Sequence, residues 1–399
     1  LKELCFDCPP GITALPASVS HLAGLVRLSI TSDHLLHLPE ELGALHALES
    51  FCLLAPLVAS LPSSLGDRSN LRKLELEECS ALASVPESIG RLLKLTQFKA
   101  CGSDVLPSLP ATLCHCTSLE ILEISLASLA RLPEEIGQLQ GLRLLKIWFC
   151  PEVEELPASI TRLSSLERLS LALCSVQLPE DLGDLSNLTS LDLDTINLSR
   201  LPSVLPQLSR LRRLEISRFN PRFALPETVN LLSALEHLVL LGLRSLQSLP
   251  GSIGQLQRLQ TLKLEGCASL RGLPESLRLS FLPQDMHRLT SLQKITLTGC
   301  PAIRQLPASL ARCPSLVRIC IFSCPGLTDL PEEIRHLVEG EEGEEDEEDE
   351  EGEEGEEGEE GEEGEEEGEE EGEDDRSVGE VEGDKSDGEH DDDGSEEDE

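Results

Sequence analysis

Cysteine is the side chain in this sequence with the most chemistry open to it. Cys5-x-x-Cys8 and Cys114-His115-Cys116 have the close spacing that metal binding or thiol exchange would use. A structural zinc site takes four such ligands, usually as two pairs. Neither cluster has a second pair at a suitable distance along the chain, so no metal is expected at either. Six other cysteines, Cys79, Cys150, Cys174, Cys267, Cys300 and Cys324, fall at one recurring point of a repeated frame. There a small, weakly polar group turns the chain off a strand and stacks on its counterpart in the next coil. Cys116 and Cys313 stand where the frame otherwise has Leu. Reduced thiols used in this way suit an intracellular protein, cytoplasmic or, alternatively, nuclear. No Gly-x-x-x-x-Gly-Lys run, His-Glu-x-x-His, nucleophile elbow or kinase signature is present, and the nine His are scattered. The expectation is a protein with no catalytic residue and no cofactor, acting by recognition.

Recognition then falls on side chains of a different kind. Trp148, the sole Trp, and Phe149 sit together, and the frame puts them on a face meant for water, with Leu126 and Leu173 at the positions beside Phe149 in the adjoining coils. A cluster of large apolar groups there either marks a contact site for a partner protein or packs on itself to cover the edge of a coil. Arg212, Arg213 and Arg218, with Arg210 and Arg222 nearby, form a second candidate. They would bind an acidic partner or the chain's own acidic tail. Glu75, Lys99, Glu123 and Lys146 follow one another at one position of successive coils. Opposite charges on adjacent strands stabilise a sheet by roughly 0.2–1 kcal/mol per pair, so this ladder reads as register and solubility.

What must position these residues is the repeat. Aligned on Leu-x-x-Leu-x-Leu/Ile, units start at Leu1, Leu25, Leu48, Leu71, Leu95, Leu119 and Leu142. They continue at Leu166, Leu188, Leu211, Leu235, Leu259, Leu292 and Leu316, which makes 14 units. Counting the first Leu as offset 0, the apolar residues at offsets 3 and 5 alternate with polar ones, the period of a strand with one buried face. A single short strand has two open edges, so these strands must pair side by side as a parallel sheet. In every unit a Leu-Pro or Val-Pro pair follows. The Pro is expected at the first helical position of a short helical or 3₁₀ turn on the back. At about 4.8 Å per strand, 14 units make an inner sheet about 65 Å along its arc. One unit cannot bury its apolar edge alone, so the fold is an α/β solenoid: a horseshoe with a parallel concave sheet and short helical or 3₁₀ segments on its convex side. The unit from Leu259 is about nine residues longer, with a doubled back segment near 274–288 placed on the outer face. Arg68 stands where Leu belongs and should loosen its turn.

The formal net charge of −42 is concentrated at one end. Residues 339–399 hold 40 acidic and 2 basic residues, against 34 and 30 in 1–338. The expected organisation is a repeat domain over 1–338 and a Glu/Gly-rich tail over 339–399. With almost nothing apolar to bury, that tail should be disordered. Ser377, Ser386 and Ser395 each precede an acid by three residues, as an acid-directed kinase requires and as chance in so acidic a stretch also produces. No apolar run approaches the roughly 18 residues of a membrane span, and neither a membrane nor a nucleic acid is an expected partner. The sequence starts inside a unit at Leu1 without an initiator Met, so residues upstream are expected. Asn187-Leu-Thr189 and Asn197-Leu-Ser199 match the glycosylation sequon, which carries no meaning in the cytosol.

The frame Leu-x-x-Leu-x-Leu-x-x-Cys-x-x-Leu-x-x-Leu-Pro-x-x-Ile-x-x-Leu, seen in Leu71–Leu92 and Leu259–Leu277, is similar to the leucine-rich repeats of plant nucleotide-binding disease-resistance proteins. It also resembles the intracellular Ras-group leucine-rich repeat scaffolds. The resemblance covers 1–337. Extracellular plant repeats carry Asn and Gly-x-Ile-Pro where this chain has Cys or other residues and x-Leu-Pro, which favours the intracellular type. The resemblance implies sensing or scaffolding in defence signalling, and restraint of an upstream nucleotide switch of which nothing is present here. This chain would then be either a recognition module or the repeat part of a larger ATPase with its catalytic domain before Leu1. The acidic tail is unusual for that family. It is similar to that of the acidic leucine-rich nuclear phosphoproteins, which implies an adaptor binding basic proteins such as histones.

Overall fold

The structure is a computed structural model that describes residues 1–339 except 68–69, 196–200, 218–222, 272 and 274–288, together with the side chain of Thr195. Arg68, the doubled back segment, Arg218, Arg222, Asn197 and residues 340–399 of the acidic tail with its three serines therefore lie outside the described residues. The chain divides into two units, Leu1–Glu344 and Glu345–Glu399, and the described residues all belong to the first.

Short strands recur at the expected places. They are β1 (Glu3–Asp7), β2 (Arg27–Thr31), β3 (Ser50–Leu54), β4 (Lys73–Glu77) and β5 (Gln97–Ser103). Next come β6 (Ile121–Leu126), β7 (Leu144–Trp148), β8 (Arg168–Cys174), β9 (Ser190–Thr195) and β10 (Arg213–Ser217). The series closes with β11 (His237–Leu241), β12 (Thr261–Glu265), β13 (Lys294–Thr298), β14 (Arg318–Phe322) and β15 (Val338–Glu339). All pair in parallel and in sequence order as one open sheet. The two residues of β15 are a strand beyond the 14 expected, and they bring the first acidic residue of the tail into the sheet beside Cys320.

The alternation explains why each stretch is a strand and which way it faces. Offsets 3 and 5 point inward: Leu74 and Leu76 in β4, and Leu145 and Ile147 in β7, are buried. Because each strand repeats this pattern in step, the inward residues form one continuous apolar core. At about 25 cal/mol per Å² of apolar surface removed from water, that core drives folding, and no coil obtains it without neighbours.

The back of each unit is a 3₁₀ turn, such as Ala17–His21, Glu87–Arg91 and Ala158–Arg162. The proline stands one place earlier than expected. Pro16, Pro86 and Pro157 are N-caps with extended backbone (φ −71°, −67° and −60°; ψ 144°, 143° and 141°) rather than first helical residues. The ring fixes a φ that both conformations share. The extended ψ leaves the proline carbonyl to accept the first turn's bond, from Val19, Ile89 and Ile160 N–H at 3.0, 3.0 and 2.9 Å.

Adjacent turns are tied by hydroxyls: Ser88 donates to Ser63 O (2.6 Å), Thr112 to Glu87 O (2.8 Å) and Ser159 to Glu134 O (2.6 Å). This approach requires Gly in the preceding turn. A Cβ on Gly66 would lie 2.1 Å from Ser88 O, and one on Gly137 2.2 Å from Ser159 O. Glu40 and Glu227 reach across in the same way, accepting the N–H groups of Ser64 (2.9 Å) and Ser252 (3.1 Å) in the next coil.

The pairing β12–β13 runs Thr261↔Lys294 to Glu265↔Thr298 without a break. β12 and β13 are therefore direct neighbours in the sheet although their unit is the longest.

Candidate functional site

Trp148 ends β7 at offset 6, in register with Ala172 of β8. Its indole is half-buried, and the Lys146 ammonium lies 4.8 Å from the ring centroid. The next residue, Phe149, is 55% exposed, and Leu173 at the same offset of the following coil is 39% exposed. Both hold a left-handed backbone, with φ +53° and +55°. That conformation costs an L-residue roughly 1–2 kcal/mol, and for a bulky side chain it is an outlier.

The cause lies in the turn that follows the strand. In these units the chain turns inward there so that offset 8 enters the core, as Cys79, Cys150, Cys174, Cys267, Cys300 and Cys324 do. The residue before the turn takes positive φ. It is Gly102, Gly242, Gly266 or Gly299 in four coils (φ +77°, +63°, +61° and +59°) and Glu78 or Ser323 in two others. Where Gly would meet the geometry without strain, units 7 and 8 place Phe and Leu and leave their side chains in solvent. Gly at offset 7 was the signal in the sequence that could have found this.

Leu126 does not belong to the cluster. It is 1% exposed, stands opposite Ser103 and donates its N–H to Cys150 Sγ at 3.3 Å. Offset 7 in that coil takes the inward place that Cys150 takes at offset 8. Length alone does not decide this, since the shorter unit from Leu166 keeps Cys174 inward at offset 8. In place of Leu126, Ile121 and Leu144 stand on the open face, half-buried and adjacent across β6 and β7.

The arginine candidates do not converge. Arg212, before β10, faces Glu236 at 3.7 Å, whereas Arg213 lies on the sheet face against Glu215 at 3.0 Å. Arg210 donates to Asn187 Oδ1 at 2.6 Å. Each holds a partner within the coils. The sequon residue Asn187 also donates to Ser164 O at 2.6 Å, so both ends of its amide are engaged. These residues belong to the strand-entry edge, where a groove of about 750 Å³ is lined by Arg72, Lys94, Arg143, Glu167, Asn187 and Arg210. Arg143 bridges to Glu167 through two bonds of 3.1 and 3.2 Å, and Lys94 donates to Asn70.

The ladder Glu75, Lys99, Glu123, Lys146 is in register, but its close ion pairs run otherwise. Lys73 meets Glu75 within β4 (3.2 Å), and Lys99 meets Glu77 diagonally (2.7 Å). Taken by column, the sheet is polarised across its width. Among the described residues, offset 2 carries Arg27, Lys73, Arg168, Arg213, Lys294 and Arg318 with one carboxylate, Glu3. Offset 6 carries Asp7, Glu77, Asp194 and Glu265 and no Lys or Arg. Trp148 and Phe149 thus lie on the acidic side. On β9, burial pushes the Asp192 carboxyl above its ordinary range; a hydrogen bond from Ser170 Oγ (2.8 Å) opposes this, and Glu215 and Asp194 add to it.

The thiols are structural in placement. Cys79, Cys150, Cys174, Cys267, Cys300 and Cys324 are buried and donate to strand carbonyls of their own and the preceding coil. Cys174 Sγ, for instance, lies 3.2 Å from Ala172 O and 3.6 Å from Ile147 O. Burial pushes Cys79 and Cys116 up to about 11 and Cys101 and Cys114 up to about 12. Among the described residues no group of three or more His, Cys, Asp or Glu could hold a metal ion. Nor is any helix there long and apolar enough to cross a membrane.

Residues 110–220 match the family model described as leucine-rich repeat region. No protein among the curated sequences matches the chain. Among solved structures, a leucine-rich repeat protein of Leptospira interrogans is similar, with 24% identity and a TM-score of 0.61 over 85% of this chain and 94% of that one. An internalin of Listeria monocytogenes is similar at 15% identity and a TM-score of 0.53, covering 85% of this chain and 86% of that one. At these identities the likeness concerns the fold.

Proposed function

The body of this chain is a leucine-rich repeat solenoid, and we propose that it is a non-enzymatic recognition module gripping a partner protein on the open sheet at Trp148, Phe149 and Leu173. The single observation that carries this is the pair of bulky apolar residues held exposed in left-handed backbone on adjacent coils, at an offset where four other coils have Gly. Strained backbone of this kind clusters at functional sites, and aromatic groups are among the residues that dominate interface energies.

The setting we propose is sensing or scaffolding in intracellular defence signalling of the disease-resistance type, in the cytoplasm. Its support is the Leu-Pro and Cys frame of Leu71–Leu92 and Leu259–Leu277. A second reading is favoured by the 40 acidic residues of 339–399, which suit an adaptor that takes up basic proteins such as histones by charge alone.

Capture from a cell extract separates the two. The full chain is compared with the Trp148→Ala/Phe149→Gly variant at about 1 M salt, where the Debye length is near 3 Å and exposed charge pairs are screened. The recognition reading expects proteins held by the full chain and lost by the variant. Identical capture by both chains removes it, and capture that vanishes with salt for both favours the charge reading.

A further inference from the structure

The recognition surface has electrical as well as apolar character, and the two together describe what fits it. Three strands before β7, Glu77 at the end of β4 and Glu78 just beyond it stand at offsets 6 and 7; Glu77 already meets Lys99 at 2.7 Å, and Glu78 is exposed. On β9, two strands after β7, stand Asp192 and Asp194. Between them Trp148, Phe149 and Leu173 form the apolar centre. No Lys or Arg occupies offset 6 or 7 among the described residues, while the cations of the sheet stand at offset 2 and, as Lys99, Lys146 and Lys263, at offset 4.

Strands lie about 4.8 Å apart, so the acidic pair on β4 is about 14 Å from the apolar centre on β7 and the pair on β9 about 10 Å from it. An extended chain advances about 3.3 Å per residue. A segment lying across the strands would therefore place residues about four before and three after an apolar anchor over these acids.

We propose that this rim receives an extended segment of a partner protein. The segment carries one large apolar residue flanked by Lys or Arg at those distances, with the anchor on Trp148, Phe149 and Leu173 and the cations over Glu77/Glu78 and Asp192/Asp194. It rests on the recognition reading above and adds the partner's chemistry to it. The charge step across the sheet also sets the segment's lateral position, since sliding toward offset 2 brings its cations against Arg168 and Arg213. Such like-charge contact suppresses wrong registers.

The probe is a synthetic peptide of that spacing, two Lys around one Leu and otherwise Ser and Thr, added to the full chain. Trp148 is the sole Trp, so its fluorescence reports on the site alone. The expected result is a saturable change in Trp148 emission. Affinity should fall more than about tenfold when both Lys are replaced by Glu, and by several-fold for Glu78→Gln and for Asp192→Asn. Equal binding of the Lys and Glu peptides overturns the inference. So does binding of the Lys peptide, followed through a label on the peptide, that leaves Trp148 emission unchanged, because the peptide is then held elsewhere on this acidic chain. Two variants on opposite sides of the apolar centre guard against a folding defect in either. If the Lys peptide fails while Trp148→Ala/Phe149→Gly still loses a partner from extract, the recognition reading stands and the cationic segment falls.

Discussion

Position 149 allows the strain to be weighed. Phe149→Ala removes the ring but keeps a Cβ in left-handed backbone, whereas Phe149→Gly removes both. An L-residue at φ +53° costs about 1–2 kcal/mol, and Gly loses about 0.5–1 kcal/mol relative to Ala through the freedom of the unfolded chain. The Gly variant should therefore be as stable as the Ala variant or more stable by up to about 1.5 kcal/mol. The same pair at Leu144, an extended strand residue of the same coil, should show Gly worse than Ala by about 0.5–1 kcal/mol. The difference between the two sites isolates the left-handed term at about 1–2 kcal/mol. Urea unfolding of the full chain followed by far-UV circular dichroism measures all four variants, with the slope of the transition compared across them so that one unfolding unit is being read. If Gly is worse than Ala by the same margin at 149 as at 144, no strain is held there and the chief support for the recognition surface is gone.

Gly66→Ala places a Cβ 2.1 Å from Ser88 O, so thermal unfolding should register a loss of about 1–3 kcal/mol, the usual cost of overpacking; an unchanged midpoint would mean that adjacent turns slide freely. Thiol titration of the native chain should find Cys5 accessible and Cys79, Cys114 and Cys116 slow until denaturant is added, because the latter three are buried and their thiols are pushed up to about 11 or 12. Equal native rates would contradict the burial. Acid should loosen the back of the solenoid through two carboxylates. The Glu40 carboxyl is lowered chiefly by the Ser64 backbone N–H. At Glu227 burial raises the carboxyl, but the Ser252 and Gly251 hydrogen bonds outweigh it. A lowered folded value means that the stabilisation is present above the unfolded carboxylate range and is lost as pH falls through the folded value. Glu40→Gln with Glu227→Gln should therefore flatten the acid limb of a stability–pH curve, and an unaltered limb would count against these bonds.

How much of the molecule is legible in its sequence depends on whether a feature is written in periodicity or in length. Leu74 and Leu76 announce a strand by alternation, and every coil repeats the message, so sheet, order and inward face can be read directly. The 3₁₀ turns follow from Leu-Pro and the Ile or Leu three residues on. The proline's place differs by one residue because its φ suits both a cap and a first helical residue, and only ψ separates them. Leu126 departs from expectation for a different reason. Counting from the first Leu of a unit assumes that every coil turns inward at the same offset, and the coil from Leu119 turns one residue earlier, which exchanges a solvent position for a core position. The arginines near 210 are close in sequence, yet Arg212 and Arg213 part to an edge and a face. The acidic and basic columns are legible in principle, since they emerge once residues are read down the sheet rather than along the chain.

The uninterrupted register from β12 to β13, held although the intervening stretch is longer than in any other coil, bears on how the sheet is aligned. Ladder formation thus tolerates a detour of unequal length between those two rungs, so the register of the sheet is set by the strands themselves and not by a fixed count of residues between them.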